Sequence, residues 1–370
     1  MNNRGLTVRQ FALWMAMYQI GSAYLLIPSG LATVAGHDAW LCVVVAIGIQ
    51  YLLVPLLTAL TGQMRGNSFV QYLRRLFGNT SGSVLSILFV FLFPYLIFIF
   101  TLRNLSDFIT TSVMPLTPPY VLLALMLVAV VFALRSGVPT IGRSSEILFL
   151  FLPAIFLLVA LSLLSETHWH NLAPFLEYGW KPILLGSFPL LAFPYLETVL
   201  FLFLVPHIPE SVNWRKAVCL GSALSGTMYL LMMLITTAAL SEGVMANLTF
   251  ASYFVVRTIA IGDFFQRFEI VITIFWYTSI FFRLVFLLQV SIQGLSEAFA
   301  LRSKDTLIIP LVLIAIVFSG MIWPNMAFLI EFMQVWPMYA MIFGIALPIL
   351  FWIIGKVRLR SYEGNVPEER

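Results

Sequence analysis

The sequence predicts an all-α polytopic membrane protein of ten crossings, built as two inverted five-helix repeats, and three observations carry that prediction. Composition is the first: 61% of the 370 residues are hydrophobic, 10% are charged and 33 are Phe, with a mean hydropathy of +0.99. A water-soluble core cannot enclose that much apolar surface, so most of it faces lipid. Segmentation is the second. Apolar runs near the ~20 residues needed to cross the hydrocarbon recur ten times. They lie at about 7–33, 39–63, 82–112, 119–135, 144–165, 182–206, 214–240, 263–296, 306–323 and 326–355. The third is a matched pair of interruptions in the first and sixth runs, the pattern left by repeats that meet at a midplane site. Five crossings per repeat force the inversion, because run six then starts on the side opposite run one.

Charge sets the orientation. The loops on one side hold Arg4, Arg9, Arg65, Arg74, Arg75, Arg135, Arg143, Arg215, Lys216, Arg302, Lys304, Lys356, Arg358 and Arg360, whereas the other side holds Lys181 and Arg257. The positive-inside rule therefore places both termini in the cytoplasm. The net charge of +4 is accounted for by this topological signal, so no nucleic-acid partner is expected and the bilayer is the surface the chain meets. Arg4 and Arg9 lead into a run that many others follow, which is not the layout of a cleavable signal peptide. Cys42 and Cys219 sit in or beside apolar runs, make no metal or redox spacing, and read as small buried thiols.

In the first run, Gly21-Ser22-Ala23 followed by Pro28 is poor helix interior, because glycine is costly there and proline removes a donor. Hydrocarbon offers freed backbone groups no water, so such a break survives only where protein or a ligand cavity satisfies it. Residues 68–77 carry apolar residues at helical spacing with a basic face and predict a short helix on the inner membrane surface. In the third run Arg103 and Asp107, four apart, share a face. They read either as a self-neutralising pair or, with Glu331 of the tenth run, as an outer gate. Arg135, Arg143 and Glu146 anchor the turn between runs four and five. Residues 247–262 suit an interfacial helix on the outer side, and the charged end of the chain, 359–370, reads as a disordered stretch. The domain division is a single membrane domain over 1–355, with repeat one at about 7–165, repeat two at about 182–355, and a cytoplasmic tail at 356–370.

The sixth run repeats the opening theme with Gly186-Ser187-Phe188-Pro189 and then Phe193-Pro194-Tyr195-Leu196-Glu197. A carboxylate inside lipid implies a partner or water. Glu197 is thus a candidate for an ammonium acceptor, a proton carrier or a tie to a neighbouring helix. Arg283 of the eighth run is a natural salt-bridge partner for it. Freed amides near Ile20, Gly21, Ser22 and Ala23 suit a carboxylate, and carbonyls freed from Leu191 to Pro194, with Phe193 between, suit an ammonium. Tyr95, Phe98, Leu102 and Phe188 are the candidate apolar wall. His168 and His170 lack a third ligand. No phosphate loop, nucleophile elbow or cysteine–histidine constellation occurs, so neither catalysis nor a cofactor is expected.

Six blocks in order carry a family resemblance: Leu6-Thr7-Val8-Arg9-Gln10 through Pro28; Thr101 to Ile109 ending in Met114-Pro115-Leu116-Thr117-Pro118; Ile141 to Ile147; Asn171 to Gly179; Phe193 to Glu197 leading to Val205-Pro206; and Ile261 to Glu269. Together they resemble the membrane-embedded B subunit of the nutrient germinant receptors of spore-forming bacteria, a branch of the amino acid–polyamine–organocation superfamily with the LeuT-type fold. The resemblance implies a spore inner-membrane protein that binds a small germinant, often an amino acid. It also implies two partners, an A-type membrane subunit and a C-type lipoprotein subunit. In sodium-coupled members of that fold the first and eighth spans hold a sodium ion. Arg283, with Thr278 and Ser279 nearby, would stand in that ion's place. A proton- or ion-coupled amino-acid transporter is the alternative function, and a structural scaffold or conduit a third.

Overall fold

The computed structural model describes residues 5–209, 212–257 and 269–363, and within these the side chains of 22, 23, 326, 327, 330 and 359–363 are not described. The first helix, α1 (Val8–Ala23), opens on a capping box in which Thr7 and Gln10 exchange side-chain and backbone bonds at 3.2 Å. Its end is set by Pro28. Lacking an N–H, Pro28 leaves the carbonyl of Tyr24, four residues back, without a helical donor. The Ser252 hydroxyl donates to that carbonyl instead, at 3.3 Å. Helix α2 (Ile27–Ala35) then resumes the crossing. The interruption thus falls at 24–26, just after Gly21-Ser22-Ala23, which completes α1. It is a kink rather than an unwound loop, since Tyr24 and Leu26 both keep right-handed helical dihedrals.

A short 3-10 turn at Gly36–Asp38 leads into α3 (Ala39–Met64). The expected surface helix is α4 (Phe69–Phe77), with a Ser68–Gln71 capping box and Phe69, Val70, Tyr72, Leu73 and Leu76 buried beneath it. Arg74 on its other face donates to the carbonyls of Glu297 and Ala298, at 2.9 and 3.1 Å. Next come α5 (Asn79–Val113), α6 (Pro119–Ser136) and α7 (Val138–Glu166). α5 contains two π turns, Phe91–Tyr95 and Ile109–Val113. The sixth crossing, α8 (Trp180–His207), is helical throughout but changes type. It is α to Leu190, π over Leu191–Tyr195 and 3-10 over Leu196–His207.

The seventh crossing, α9 (Trp214–Ala246), breaks at Ser241, where φ is +62°. Helix α10 (Ala251–Arg257) falls within the expected interfacial segment, whose residues 258–262 lie outside the described ones. The remaining helices are α11 (Glu269–Ala298), α12 (Lys304–Met321), α13 (Met326–Met341) and, after a π turn at Ile342–Ala346, α14 (Leu347–Glu363). Two boundaries differ from expectation. The fifth crossing starts at Val138, six residues early, because Gly137 and Pro139 supply the start signal. The last helix continues to Glu363, through part of the segment expected to be disordered; Arg358 there bonds the Leu76 carbonyl of α4.

Three helices form the centre. Phe11 to Gly21 of α1, Tyr195 to Val205 of α8 and Phe282 to Ser296 of α11 are buried without a gap. Around them α6, α7 and α12 expose Leu125, Phe132, Leu150, Leu161, Leu313 and Val317, as lipid-facing helices do. Small residues let the central helices approach closely. A Cβ at Gly21 would lie 2.6 Å from the Ser279 carbonyl oxygen of α11. Gly21 therefore serves helix contact as well as the break. Replacing it by Ala is expected to cost about 1–3 kcal/mol by overpacking, whereas Gly30→Ala inside α2, with nothing within 4 Å of its Cβ, is expected to raise stability by about 0.5–1 kcal/mol. Thermal unfolding of the two purified variants in detergent measures the difference.

Candidate functional site

Four crossings converge on one buried ion pair. Arg283 of α11 meets Glu197 of α8 through two parallel bonds, Nη1 to Oε2 at 2.7 Å and Nη2 to Oε1 at 3.0 Å. Neither side chain is more than 3% exposed. Tyr18 of α1 donates its hydroxyl to Glu197 Oε2 at 2.7 Å, and its ring lies under the guanidinium, 4.7 Å from centroid to Cζ. Thr101 of α5 accepts from Arg283 Nε at 3.1 Å. Such forked, charge-assisted bonding is what a buried pair needs to offset desolvation.

Beside the pair is a small, partly enclosed cavity. Gly21 of α1 and Ile97, Phe100, Thr101 and Asn104 of α5 line it, with Phe193 and Glu197 of α8, Ile280 and Arg283 of α11, and Trp336 of α13. Phe193 stacks on Trp336 at 5.9 Å and Phe100 meets it edge-on at 5.4 Å. Two lining groups, Asn104 Oδ1 and Trp336 Nε1, are buried without a hydrogen-bond partner among the described residues. An unpaired acceptor and an unpaired donor on one cavity wall are costly unless something else bonds them.

The expected site residues divide. Gly21, Phe193, Glu197 and Arg283 line the cavity. Ile20, Leu191 and Pro194 are buried nearby, Pro194 within the π turn. Ser22 and Ala23 are placed in α1 by their backbone alone. Tyr95, Phe98 and Leu102 are buried but lie on a neighbouring face of α5: the lining face is 97, 100, 101 and 104. The Tyr95 hydroxyl donates instead to Leu311 of α12, at 2.7 Å. Phe188 is 37% exposed and outside the lining. The hydroxyls of Thr278 and Ser279 bond the carbonyls of Ile274 and Phe275 on their own helix. Arg103 pairs with Asp107 at 2.9 Å, and Trp323 donates to Asp107 at 2.9 Å. Glu331 is exposed and, among the described residues, forms no ion pair with Arg103.

Sequence reasoning missed Tyr18, Thr101, Asn104 and Trp336. Signals existed for two of them. Tyr18 is one turn before Gly21, and Trp336 precedes Pro337 inside the last crossing. Also missed is a second buried polar cluster one residue along α8. Gln50 of α3 donates to Thr198 at 3.0 Å, while Ser225 and Tyr229 of α9 donate to the Gln19 side chain and carbonyl at 2.5 and 2.9 Å. At the end of the bundle away from both termini, buried His37 bonds Glu242 through its backbone and Nδ1, at 2.8 and 3.1 Å. Asp38 accepts from the Leu176 amide at 2.9 Å. Glu177 and Glu242 raise the pKa of the Tyr178 phenol beside them.

A family model described as "Spore germination protein" matches residues 5–327. Among curated proteins, spore germination protein KB of Bacillus subtilis is 25% identical, over 100% of this chain and 99% of its own length. Spore germination protein YndE of the same organism is 26% identical, over 96% and 98%. Among solved structures, MhsT in complex with L-phenylalanine aligns with a TM-score of 0.61 at 15% identity, covering 97% of this chain and 99% of that one. A manganese transporter of Eremococcus coleocola aligns at 0.52 and 14%, covering 98% and 89%. These likenesses place the fold in the LeuT-type group.

Removing one partner of the central pair strands a charge in the core. Glu197→Ala is expected to destabilise the protein by about 3–5 kcal/mol, and the double change of Glu197 and Arg283 to Leu to recover most of that loss. Thermal midpoints of the single and double variants test this; a single variant as stable as the unsubstituted protein contradicts it.

Proposed function

This chain belongs to the spore germination protein family, and on that premise we propose that it is the membrane-embedded, germinant-sensing subunit of a spore nutrient receptor. Its ligand is a small zwitterion, best fitted by an amino acid, and the site is the cavity beside Arg283 and Glu197. The observation that carries this reading is the cavity wall itself. Arg283 and Glu197 neutralise each other, so the site favours a ligand of zero net charge. Asn104 Oδ1 and Trp336 Nε1 await one donor and one acceptor, which an ammonium and a carboxylate supply. The aromatic side of the pocket, Phe100, Phe193 and Trp336, limits side-chain size.

Signalling follows from what the ligand would touch. Lining residues come from both repeats, so occupancy biases how the two halves pack and passes that bias to an A-type membrane subunit and a C-type lipoprotein subunit. The cation-poor end of the bundle faces outward, both termini are cytoplasmic, and the membrane is the spore inner membrane. The LeuT-type fold also supports the transporter reading. In it, Arg283 takes the place of a bound sodium between the first and eighth crossings.

Three measurements separate these readings. Amino acids, sugars and nucleosides are screened against the detergent-purified protein by thermal shift. An amino acid is expected to raise the midpoint, and Trp336→Phe, which keeps the ring and removes the N–H, to weaken it about tenfold, the worth of one hydrogen bond. A sensor binds this ligand without accumulating it in proteoliposomes; accumulation makes the protein a carrier. Binding is expected to be independent of sodium at constant ionic strength, and a steep rise with sodium overturns the role given to Arg283.

A further inference from the structure

We propose that a recess between α5, α6 and α12, at the end of the bundle away from both termini, binds the phosphate of a bilayer phospholipid headgroup. The recess is open on one side and is lined by Arg103 and Ser106 of α5, Pro119, Tyr120 and Leu123 of α6, and Ser319 and Gly320 of α12. It shares no lining residue with the central cavity.

Its donors are arranged for an anionic oxygen. The Arg103 guanidinium is held on two edges: Nε binds Asp107 at 2.9 Å, and Nη1 donates to the Gly320 carbonyl at 3.1 Å. Trp323 fixes Asp107 from behind, at 2.9 Å. Among the described residues no group bonds Nη2, and none accepts from the Ser106 hydroxyl. The clamp therefore immobilises the side chain and leaves one charged donor free beside a free hydroxyl. The first turn of α6 adds to these. Pro118 and Pro119 carry no N–H and the Val121 amide bonds the Pro118 carbonyl at 3.1 Å, so what this end of α6 adds is the Tyr120 amide and the positive end of the helix dipole. Asp107 cancels the net charge of Arg103, which favours a ligand anchored by more than charge.

The flanks supply that anchor. Tyr120, Val121 and Leu125 on α6 and Leu313 and Val317 on α12 are each half or more exposed and apolar, and they run from the recess toward the middle of the crossings. A phosphate joined to acyl chains satisfies the donors and the apolar strip together. An inorganic anion satisfies only the donors. The pair read from sequence as a gate thus becomes the rigid base of a lipid site.

The test uses the full chain, delipidated in detergent and titrated with phosphatidylglycerol under native mass spectrometry. One tightly held lipid is expected per chain. Ser106→Leu, which fills the recess without touching the ion pair, and Arg103→Gln are each expected to weaken it about tenfold, the loss of a bond to a charged group. Inorganic phosphate is expected not to displace the lipid, and diacylglycerol, which lacks the phosphate, not to occupy the site. Unchanged affinity in Ser106→Leu overturns the proposal even if Arg103→Gln fails to fold. Displacement by inorganic phosphate, or equal binding of diacylglycerol, overturns it as well.

Discussion

The pairing of Arg283 with Glu197 is the constraint on which the middle of this protein depends. Either charge alone in a membrane interior is costly, and their attraction outweighs that cost only with good geometry and full hydrogen bonding. Supplying that geometry requires Tyr18 from α1, Thr101 from α5, Glu197 from α8 and Arg283 from α11 to arrive together. Four crossings are thereby fixed in rotation and depth by one polar cluster. The cavity lies beside it, where those four and α13 leave a gap, so the proposed ligand site and the structural centre share Thr101, Glu197 and Arg283. Whatever enters the cavity acts directly on the contacts that set the helix arrangement.

The bilayer imposes a second discipline, seen where helices leave backbone carbonyls without a partner of their own. Pro28 frees the Tyr24 carbonyl, and Ser252 bonds it from α10. At the C-terminal end of α11, Arg74 of the surface helix bonds the Ala298 carbonyl and adds a second donor to the Glu297 carbonyl, which also accepts from the Ala300 amide. In both cases a donor from a different element completes the backbone accounting that lipid leaves undone. The short helices α4 and α10 are thus parts of the membrane bundle rather than connectors.

The crossings were legible because each is a long apolar run bounded by charged or turn-forming residues. The presence of Glu197 and Arg283 at the centre was legible too, since a charge inside such a run demands a partner. The lining of α5 was not. Tyr95, Phe98 and Leu102 share one face of a regular helix, but the wall is made one step around, at Ile97, Thr101 and Asn104. A π turn at Phe91–Tyr95 adds a residue to that helix, and pattern reading that assumes 3.6 residues per turn cannot register it. Trp336 escaped notice for another reason: Pro337 marks a break beside it, but among 33 Phe, 13 Tyr and 9 Trp the sequence does not say which aromatic faces the centre.

The π turns at Phe91–Tyr95 and Leu191–Tyr195 both end in Phe-Pro-Tyr. Each behaves as a spare residue stored in the helix, a phase offset held between two otherwise ordinary halves. Losing that one residue, as a three-base deletion would cause, lets the turn close into α form while the helix beyond keeps its facing, whereas the same loss in a regular stretch swings everything downstream by about 100°. In α8 the portion beyond the turn begins at Leu196, so a residue lost from the turn leaves Glu197 on the side that Arg283 occupies, and one lost from the α stretch before it does not. Chain length in these crossings is therefore a coordinate of the site everywhere except at these two turns, where one residue can be lost without changing which side chains face the centre.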